Sequence, residues 1–252
     1  MNKNGSHYKH LLELNLAMLF ISTSGALGRY VELPVVITIA LRALLAFAIL
    51  WGYCRIKGIS FTVDAKDRIP ILLIGLLMGL HWVLYFYALR FSNVAIGMLS
   101  LFTYPILTAL LEPWMLNTKF QRIHLFLALL VLCGIYFLIP DFSIENTYTK
   151  AVALGVFSAL CYALRNILLK SKVGAYNGSM LMTYQVGMVS IVLLPALFWA
   201  EQEAVYAQWP GLLALAFLTT AVGHTLFLNS FRHFSITTAS IISSIQPVDG
   251  II

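Results

Sequence analysis

Apolar residues are gathered along this chain into long runs, which short polar stretches separate. Most runs have about the 20 residues that carry an α-helix across ~30 Å of hydrocarbon at ~1.5 Å per residue. They lack the alternation of apolar and polar positions that is typical of membrane β-strands. Eight runs cover residues 11–28, 33–53, 69–89, 94–116, 125–139, 151–169, 178–200 and 212–231. The pattern predicts an all-α, polytopic transmembrane helical bundle, in which a ninth span begins near residue 232.

The composition excludes a water-soluble domain. Hydrophobic residues make up 60% of the chain and charged residues 10%, whereas a soluble domain carries roughly a quarter of charged residues. The stretches between the runs, such as 55–68 and 140–150, are turn-forming and too short for a second, soluble domain. We therefore expect one helical unit whose principal partner is the lipid bilayer.

The basic residues predict an orientation. If the N-terminus is cytoplasmic, eleven Lys and Arg residues fall on the inner side and only Arg29, Arg90 and Lys150 on the outer side. Short cytoplasmic loops carry such an excess. The net charge of +6 then reflects contact with anionic lipid and gives no reason to expect a nucleic acid partner. We predict a multi-pass membrane protein with a cytoplasmic N-terminus.

An internal repeat emerges when the chain is compared with itself at an offset of 142 residues. The stretch "RFSNVAIGMLSLFTYP" (90–105) then lies over "RHFSITTASIISSIQP" (232–247). Both begin with arginine at a span boundary and end at a proline. Five spans separate equivalent positions, so the two halves, residues 1–140 and 141–252, are predicted to have opposite orientations in the membrane. Inverted repeats are typical of transporters that work by alternating access.

These motifs resemble those of a known family. The turn into a small-residue span that ends in proline, "ALRFSNVAIGMLSLFTYP", with its second copy ending "SIQP", is similar to the EamA-type members of the drug/metabolite transporter superfamily. The segments "TSGALGR", "LRALLAF" and "LRNILLK" also resemble a bacterial branch of it. The resemblance implies ten helices in two inverted five-helix repeats, a central cavity, and transport of small metabolites across the bacterial inner membrane.

The C-terminal stretch departs from that pattern. Ile252 aligns with Leu110, inside the fourth span, so the ninth span is expected to be cut short and the tenth to be absent. This favours an alternative hypothesis, a non-transporting membrane fragment or scaffold. Asp249 aligns with the apolar Leu107, and its charge is either a cavity feature or a tolerated substitution.

Polar residues inside a span are costly and point to function. Arg42 lies about 12 Å inside the second span. It either recognises an anionic or carboxylate group or tethers helix carbonyls or a carboxylate elsewhere. His81, Trp82 and Tyr85 share the middle of the third span, and His224 lies in the eighth. They are candidates for solute binding, against the alternative of ordinary packing.

Two further positions are repeat equivalents. Tyr104 and Gln246 each precede an aligned proline, Pro105 and Pro247. Proline frees a carbonyl one turn earlier and bends a helix, so both prolines are predicted hinges and both preceding residues are predicted to line the cavity. Gln185, in the seventh span, is a further cavity candidate.

The remaining polar positions divide between coupling and architecture. Glu13, with His81 and His224, is a candidate for proton coupling. Arg165 and Asn166 lie near the inner end of the sixth span, where the arginine is expected to snorkel toward water. Glu112 is interpreted as architectural, and the small residues of "SGALG" (24–28) and "GLLMGL" (75–80) as helix-packing positions.

The resulting prediction is a transporter of a small organic metabolite, such as an amino acid, a nucleoside or a drug-like solute. No phosphate-binding loop, paired metal-ligand spacing or soluble catalytic domain is found in the sequence. We therefore expect neither an enzyme, nor a metal, nor a cofactor.

Overall fold

The fold is that of a helical bundle, taken from a computed structural model that describes residues 3–138, 143 and 146–251. The first three helices are long and continuous: α1 (Lys3–Tyr30), α2 (Val35–Ile56) and α3 (Ala65–Phe91). Pro34 stands at the N-cap of α2. Gly58 adopts a positive φ of 63° in the turn after α2, a conformation that glycine takes without a steric penalty.

The fourth apolar run is a broken helix. It forms α4 (Val94–Leu101) and α5 (Tyr104–Leu116), with a turn just before Pro105. Asn93 caps α4 by accepting a hydrogen bond from the amide of Ile96. Asn117 ends α5 in the left-handed conformation, and α6 (Ile123–Leu138) follows.

The second part of the chain begins with α7 (Thr147–Lys170), which Asn146 caps, and α8 (Gly178–Leu193), which continues as a 3₁₀ helix through Leu194–Trp199. The short α9 (Gln202–Ala207) leads into a continuous rod that consists of α10 (Trp209–Ala214), a π-helical segment (Leu215–His224) and α11 (Thr225–Ser230). The last run is broken like the fourth. It forms α12 (Ile236–Ile242), a 3₁₀ turn (Ser243–Ile245) and α13 (Gln246–Ile251).

Within the described ranges, seven helical stretches are long and apolar enough to cross a membrane: His7–Tyr30, Val35–Ile56, Ala65–Phe91, Val94–Leu116, Thr147–Lys170, Gly178–Trp199 and Trp209–Ser230. Helix α6 and the α12–α13 pair add two shorter apolar elements. The prediction of an all-α, polytopic transmembrane bundle is confirmed.

The core of the bundle lies where helices from the two parts of the chain meet. Helix α3 packs on α7 and α8, α2 packs on α8, and α1 packs on the π-helical segment. Gly75 allows close approach, because a Cβ added there would lie 2.8 Å from Met188 Cβ. Gly28 likewise lies against the ring of Phe86, where an added Cβ would come within 2.8 Å. Small residues are thus used for helix contacts at both predicted packing segments.

Two faces of the bundle are used below. The basic face carries the turns at residues 57–64, 117–122, 171–177 and 231–235. The opposite face carries the turns at 31–34, 92–93 and 200–208. Side chains deep between the faces are candidates for a transport site.

Candidate solute site

A small buried cavity lies at the centre of the bundle, between the broken helix α4–α5, the helices α1, α3, α7 and α13, and the end of the π-helical segment. Its volume of ≈ 20 Å³ matches the room that one water molecule needs. Its polar and aromatic walls are Ser24, His81, Trp82, Tyr85, Tyr104, Tyr162, His224 and Gln246. Residues from both parts of the chain therefore face one another across it.

Arg42 lies fully buried just behind this wall. Its Nε and Nη2 donate to the hydroxyls of Thr220 and Thr219, both at 2.8 Å, and its Nη1 donates to Ser24 Oγ at 3.3 Å. The guanidinium carbon stands 4.2 Å from the ring centroid of Trp82, which places the cation over the indole face. All three hydrogen-bond acceptors are neutral hydroxyls, so its charge has no counterion among them.

The π-helical segment explains how two consecutive threonines reach one arginine. Both hydroxyls donate to the carbonyl of Leu215, from Thr219 at 2.7 Å and from Thr220 at 2.9 Å. Their oxygen lone pairs are then free to accept from the guanidinium. Wide turns of this kind occur mostly as short insertions in α-helices, frequently at functional sites. The same segment ends at His224, which lines the cavity.

His81 is held in a defined position by α7. Ser158 Oγ lies 2.8 Å from His81 Nδ1 and donates to the His81 carbonyl, also at 2.8 Å. Because the Ser158 hydroxyl donates its one proton to the carbonyl, its oxygen can only accept from the ring. The arrangement therefore assigns the imidazole proton to Nδ1. The ring stacks on Tyr162 with centroids 4.3 Å apart. This histidine is thus oriented as part of an aromatic wall.

Among the described residues, two fully buried polar atoms of the cavity wall have no hydrogen-bond partner. They are Nε1 of Trp82 and Nδ1 of His224, and both side chains are at least 97% buried. An indole N–H can only donate. A buried, unpaired polar group costs about 1–3 kcal/mol, so a group that reached either atom and paired with it would remove that cost.

The two broken helices meet at the other side of the cavity. Tyr104 donates a hydrogen bond to Ser243 Oγ, which in turn donates to the carbonyl of Ser240 at 2.6 Å. Gln246 Nε2 lies 2.9 Å from the sulfur of Met18. Helix α5 begins at Tyr104 and α13 at Gln246, so the two repeat-equivalent residues occupy equivalent places in the fold.

A second buried guanidinium lies on α7. Arg165 is fully buried, donating from Nε to Gln185 Oε1 and from Nη1 to Asn166 Oδ1, both at 2.7 Å. The expectation that Arg165 snorkels toward water is therefore wrong. The face of α7 that carries it packs into the core, where two amide oxygens accept hydrogen bonds from it.

The other sequence-predicted residues lie outside the cavity wall. Gln185 is buried on the far side of Arg165. Glu13 is 45% exposed near the basic face, beside Lys9 and His10. Asp249 is exposed. Glu112 is buried and accepts hydrogen bonds from Thr237 at the start of α12, an architectural contact between two helices.

Tyr162 and Met98 line the cavity but were not singled out from the sequence, and Ser24, which was predicted as a helix-packing position, lines it as well. Each lies in a span whose helical face could be assigned only from its neighbours. Tyr162 follows Ser158 by one helical turn, so the pairing of Ser158 with His81 brings it to the cavity.

Separate contacts join the two parts of the chain at the two faces of the bundle. At the basic face, Lys172 Nζ lies 2.6 Å from Asp67 Oδ1, and Tyr176 donates to Asp67 Oδ2 at 2.7 Å. The hydrogen bond to Asp67 raises the pKa of the Tyr176 hydroxyl above its usual value. We call these three residues the basic-face latch. At the opposite face, Gly211 packs on Val31, with 2.8 Å between an added Cβ and Val31 Cγ2.

Comparison with known proteins places this architecture in a family. A solved crystal structure of another protein superposes with a TM-score of 0.74 over 96% of this chain and 86% of that one, at 16% sequence identity. The pseudopaline exporter CntI of Pseudomonas aeruginosa (strain UCBPP-PA14) is 22% identical over 212 residues, which are 83% of this chain and 72% of the exporter.

The uncharacterized transporter YyaM of Bacillus subtilis (strain 168) is 24% identical over 207 residues, which are 76% of this chain and 66% of that protein. The model of the EamA-like transporter family matches twice, over residues 11–139 and 149–252. The chain therefore belongs to the EamA-like transporter family.

Proposed function

We propose that this membrane transporter moves a small organic solute by alternating access, with the central cavity as the solute site. One observation carries the proposal: a buried chamber of polar and aromatic residues, two of whose fully buried polar atoms are unpaired, lies between two faces that separate contacts hold together. Releasing either closure would open the chamber to one side of the membrane only. The aromatic side chains of the wall, Trp82 and Tyr85 among them, offer apolar surface against which an organic solute can pack.

Equivalent contacts at the helix ends support two inverted repeats, with boundaries as predicted at residues 1–140 and 141–252. At the opposite face, Arg29 Nη1 donates to the carbonyl of Leu89 at 3.1 Å. At the basic face, Lys170 Nζ donates to the carbonyl of Phe231. Leu89 and Phe231 are 142 residues apart, which is the offset of the sequence repeat.

A second pair of contacts is also equivalent between the two halves. Arg90, at the end of α3, donates to the carbonyl of Leu33 at 3.1 Å. Arg232, just after α11, donates to the carbonyl of Tyr176 at 2.8 Å. Each arginine holds the first turn of its own half, on opposite faces of the bundle. Two halves built in this way can exchange conformations, and the exchange moves the opening from one face to the other.

The broken helices supply the flexible elements of the proposed cycle. Both depart from α-helical geometry directly before their prolines, Pro105 and Pro247, and both contribute to the cavity wall at that point. Bending there would widen the chamber beyond its closed volume. The basic-face latch joins α3 to the 171–177 turn, so its release separates the two halves at the basic face.

We also propose that the protein lies in the bacterial inner membrane, with the N-terminus and the basic face toward the cytoplasm. The excess of Lys and Arg on this face supports the orientation, and the relatives are from bacteria. The Pseudomonas relative is named an exporter, which favours outward movement of the solute here.

Reconstitution into proteoliposomes tests the proposal. A panel of anionic, neutral and cationic solutes is assayed for counterflow and for charge movement on a solid-supported membrane. Gly25→Leu is expected to abolish transport of every substrate, because a Cβ at Gly25 already comes within 2.9 Å of Met98 Sδ and 3.0 Å of the Tyr85 hydroxyl, at the cavity wall. Gly52→Leu is the matched control, because a Cβ added at Gly52 on α2 would meet no atom within 4 Å. Solute movement equal to that of protein-free liposomes across the panel would overturn the proposal.

A further inference from the structure

The charges around the cavity are unbalanced. Arg42 and Arg165 are both fully buried. Over the described stretches, the buried carboxylates are those of Asp67, which pairs with Lys172 in the basic-face latch, and Glu112, which accepts from Thr237. Two guanidinium charges are therefore held in the bundle without a carboxylate partner.

Burial of an unneutralised cation is costly in a medium of low dielectric constant. Structural arginines in membranes are usually matched by carbonyls or carboxylates. Arg42 instead meets three hydroxyls and an indole face, and Arg165 meets two amide oxygens. Neither arginine therefore fits the role of a tether to a carboxylate elsewhere in the described chain.

Both cations lie next to the cavity wall. Arg42 bonds Ser24 and covers Trp82, and both of these residues line the cavity. The guanidinium carbon of Arg165 is 5.8 Å from the ring of Tyr162, another wall residue. The two charges thus flank the chamber from α2 and α7, which belong to different halves.

The unpaired wall atoms have a matching chemistry. Trp82 Nε1 is a donor with no acceptor, and it lies in the ring on which Arg42 is stacked. An oxygen acceptor that carries negative charge would satisfy this donor and also offset both guanidinium charges. Aromatic side chains on the remaining walls suit an organic body attached to that oxygen.

We propose that the transported solute is an organic anion, and that its carboxylate is recognised in the cavity by Trp82 Nε1 and by the charges of Arg42 and Arg165. This assignment rests on the proposed transport function. It makes the two arginines, one from each half, determinants of charge selectivity.

Two matched probe pairs test the proposal: benzoate against benzamide, and succinate against succinamide. Binding is measured by the shift in thermal unfolding of the full chain in detergent, and transport by uptake into proteoliposomes. We expect the carboxylates to bind at least about tenfold more tightly than their amides, the range of a hydrogen bond to a charged group. Sulfate is added to distinguish an organic carboxylate from an inorganic oxyanion.

Variants assign the selectivity to the arginines. Arg42→Gln should reduce the carboxylate-to-amide ratio about tenfold, and Arg42→Lys should retain more of it than Arg42→Gln, because lysine keeps the charge but not the planar fork of donors. Gln185→Glu should also lower the ratio, because it gives Arg165 a counterion without removing it. Gln202→Glu, exposed on α9, is the control carboxylate and should leave the ratio unchanged.

The outcomes separate this proposal from the transport proposal. Binding of carboxylates without transport of any solute supports the anion site and overturns transport. Transport of neutral or cationic solutes with no preference for carboxylates overturns the anion site and leaves transport standing. Equal ratios in wild type, Arg42→Gln and Gln185→Glu, or a response to sulfate alone, also contradict the assignment of an organic anion.

Discussion

Replacement of Gln185 tests directly whether Arg165 is a buried cation without a counterion. Gln185 is fully buried, and its Oε1 accepts from Arg165 Nε at 2.7 Å. Leucine has a similar volume but no acceptor. Loss of a hydrogen bond to a charged group costs about 1.5–3 kcal/mol. After a partial offset from the added apolar burial, we expect Gln185→Leu to lower the free energy of unfolding by about 2 kcal/mol.

Gln185→Glu is expected to have the opposite sign. It keeps the shape of the side chain and replaces a neutral acceptor with a carboxylate, so the guanidinium gains a counterion where it is most desolvated. For a chain of this size, about 2 kcal/mol corresponds to roughly 4–8 °C in the unfolding midpoint. The leucine variant should therefore unfold at a temperature roughly 4–8 °C below that of wild type. The glutamate variant should unfold at or above the wild-type temperature.

The assay is thermal unfolding in detergent, followed by tryptophan fluorescence at one scan rate so that irreversible steps affect all variants alike. Gln202→Leu and Gln202→Glu, at an exposed position on α9, are the matched controls and should stay within about 0.5 kcal/mol of wild type. Equal midpoints for Gln185→Leu and wild type, or an equal loss in both Gln185 variants, would show that Arg165 is not an uncompensated cation.

Three further outcomes follow from the contacts described above. Asp67→Asn should weaken the basic-face latch and speed labelling of the cavity from that face; unchanged labelling rates would show that the latch does not gate access. Gly155→Ala should lower the free energy of unfolding by about 1–3 kcal/mol, because the new Cβ would lie 1.9 Å from Ser100 Oγ. Gly52→Ala places its Cβ in open space and should cost little. Similar unfolding temperatures for the two variants would contradict this packing. Partial desolvation and the imidazole that stacks on it from α1 lower the pKa of His233. As the pH drops, the unfolded chain binds the proton before the folded chain does, so the free energy of unfolding should fall below a pH of about 6.5. His233→Gln should weaken that dependence, and an unchanged pH profile would refute it.

The helical bundle could be predicted from the sequence because most apolar runs have the length of a membrane span. In hydrocarbon, a helix satisfies all backbone hydrogen bonds of such a segment internally. The depth of Arg42 in its run also predicted its burial. The breaks before Pro105 and Pro247 could be anticipated because proline removes a backbone donor. The hinge, coupling and solute-binding roles of the selected residues stay predictions.

Other features depend on which helices meet, and the sequence does not encode this locally. Arg165 is five residues from the end of its helix, a position typical of snorkelling, yet α7 turns this face toward Gln185. Tyr162 reaches the cavity because α7 packs on α3. The π-helical geometry that brings Thr219 and Thr220 to one arginine has no signal in the residue pattern of that span.

Access to the cavity from each side of the membrane tests the central claim most directly. Leu101, which lines the cavity, is changed to cysteine in a chain whose Cys54, Cys133 and Cys161 are replaced. A membrane-impermeant thiol reagent is then applied to right-side-out and to inside-out vesicles. The control is a cysteine at Leu80, which is exposed on the lipid-facing surface of the bundle.

Alternating access predicts that the cysteine at position 101 is labelled in both vesicle orientations, and that a transported solute slows the labelling from both sides. The control cysteine at Leu80 should react in neither. Labelling of position 101 from one side alone, or from neither side, would contradict the account.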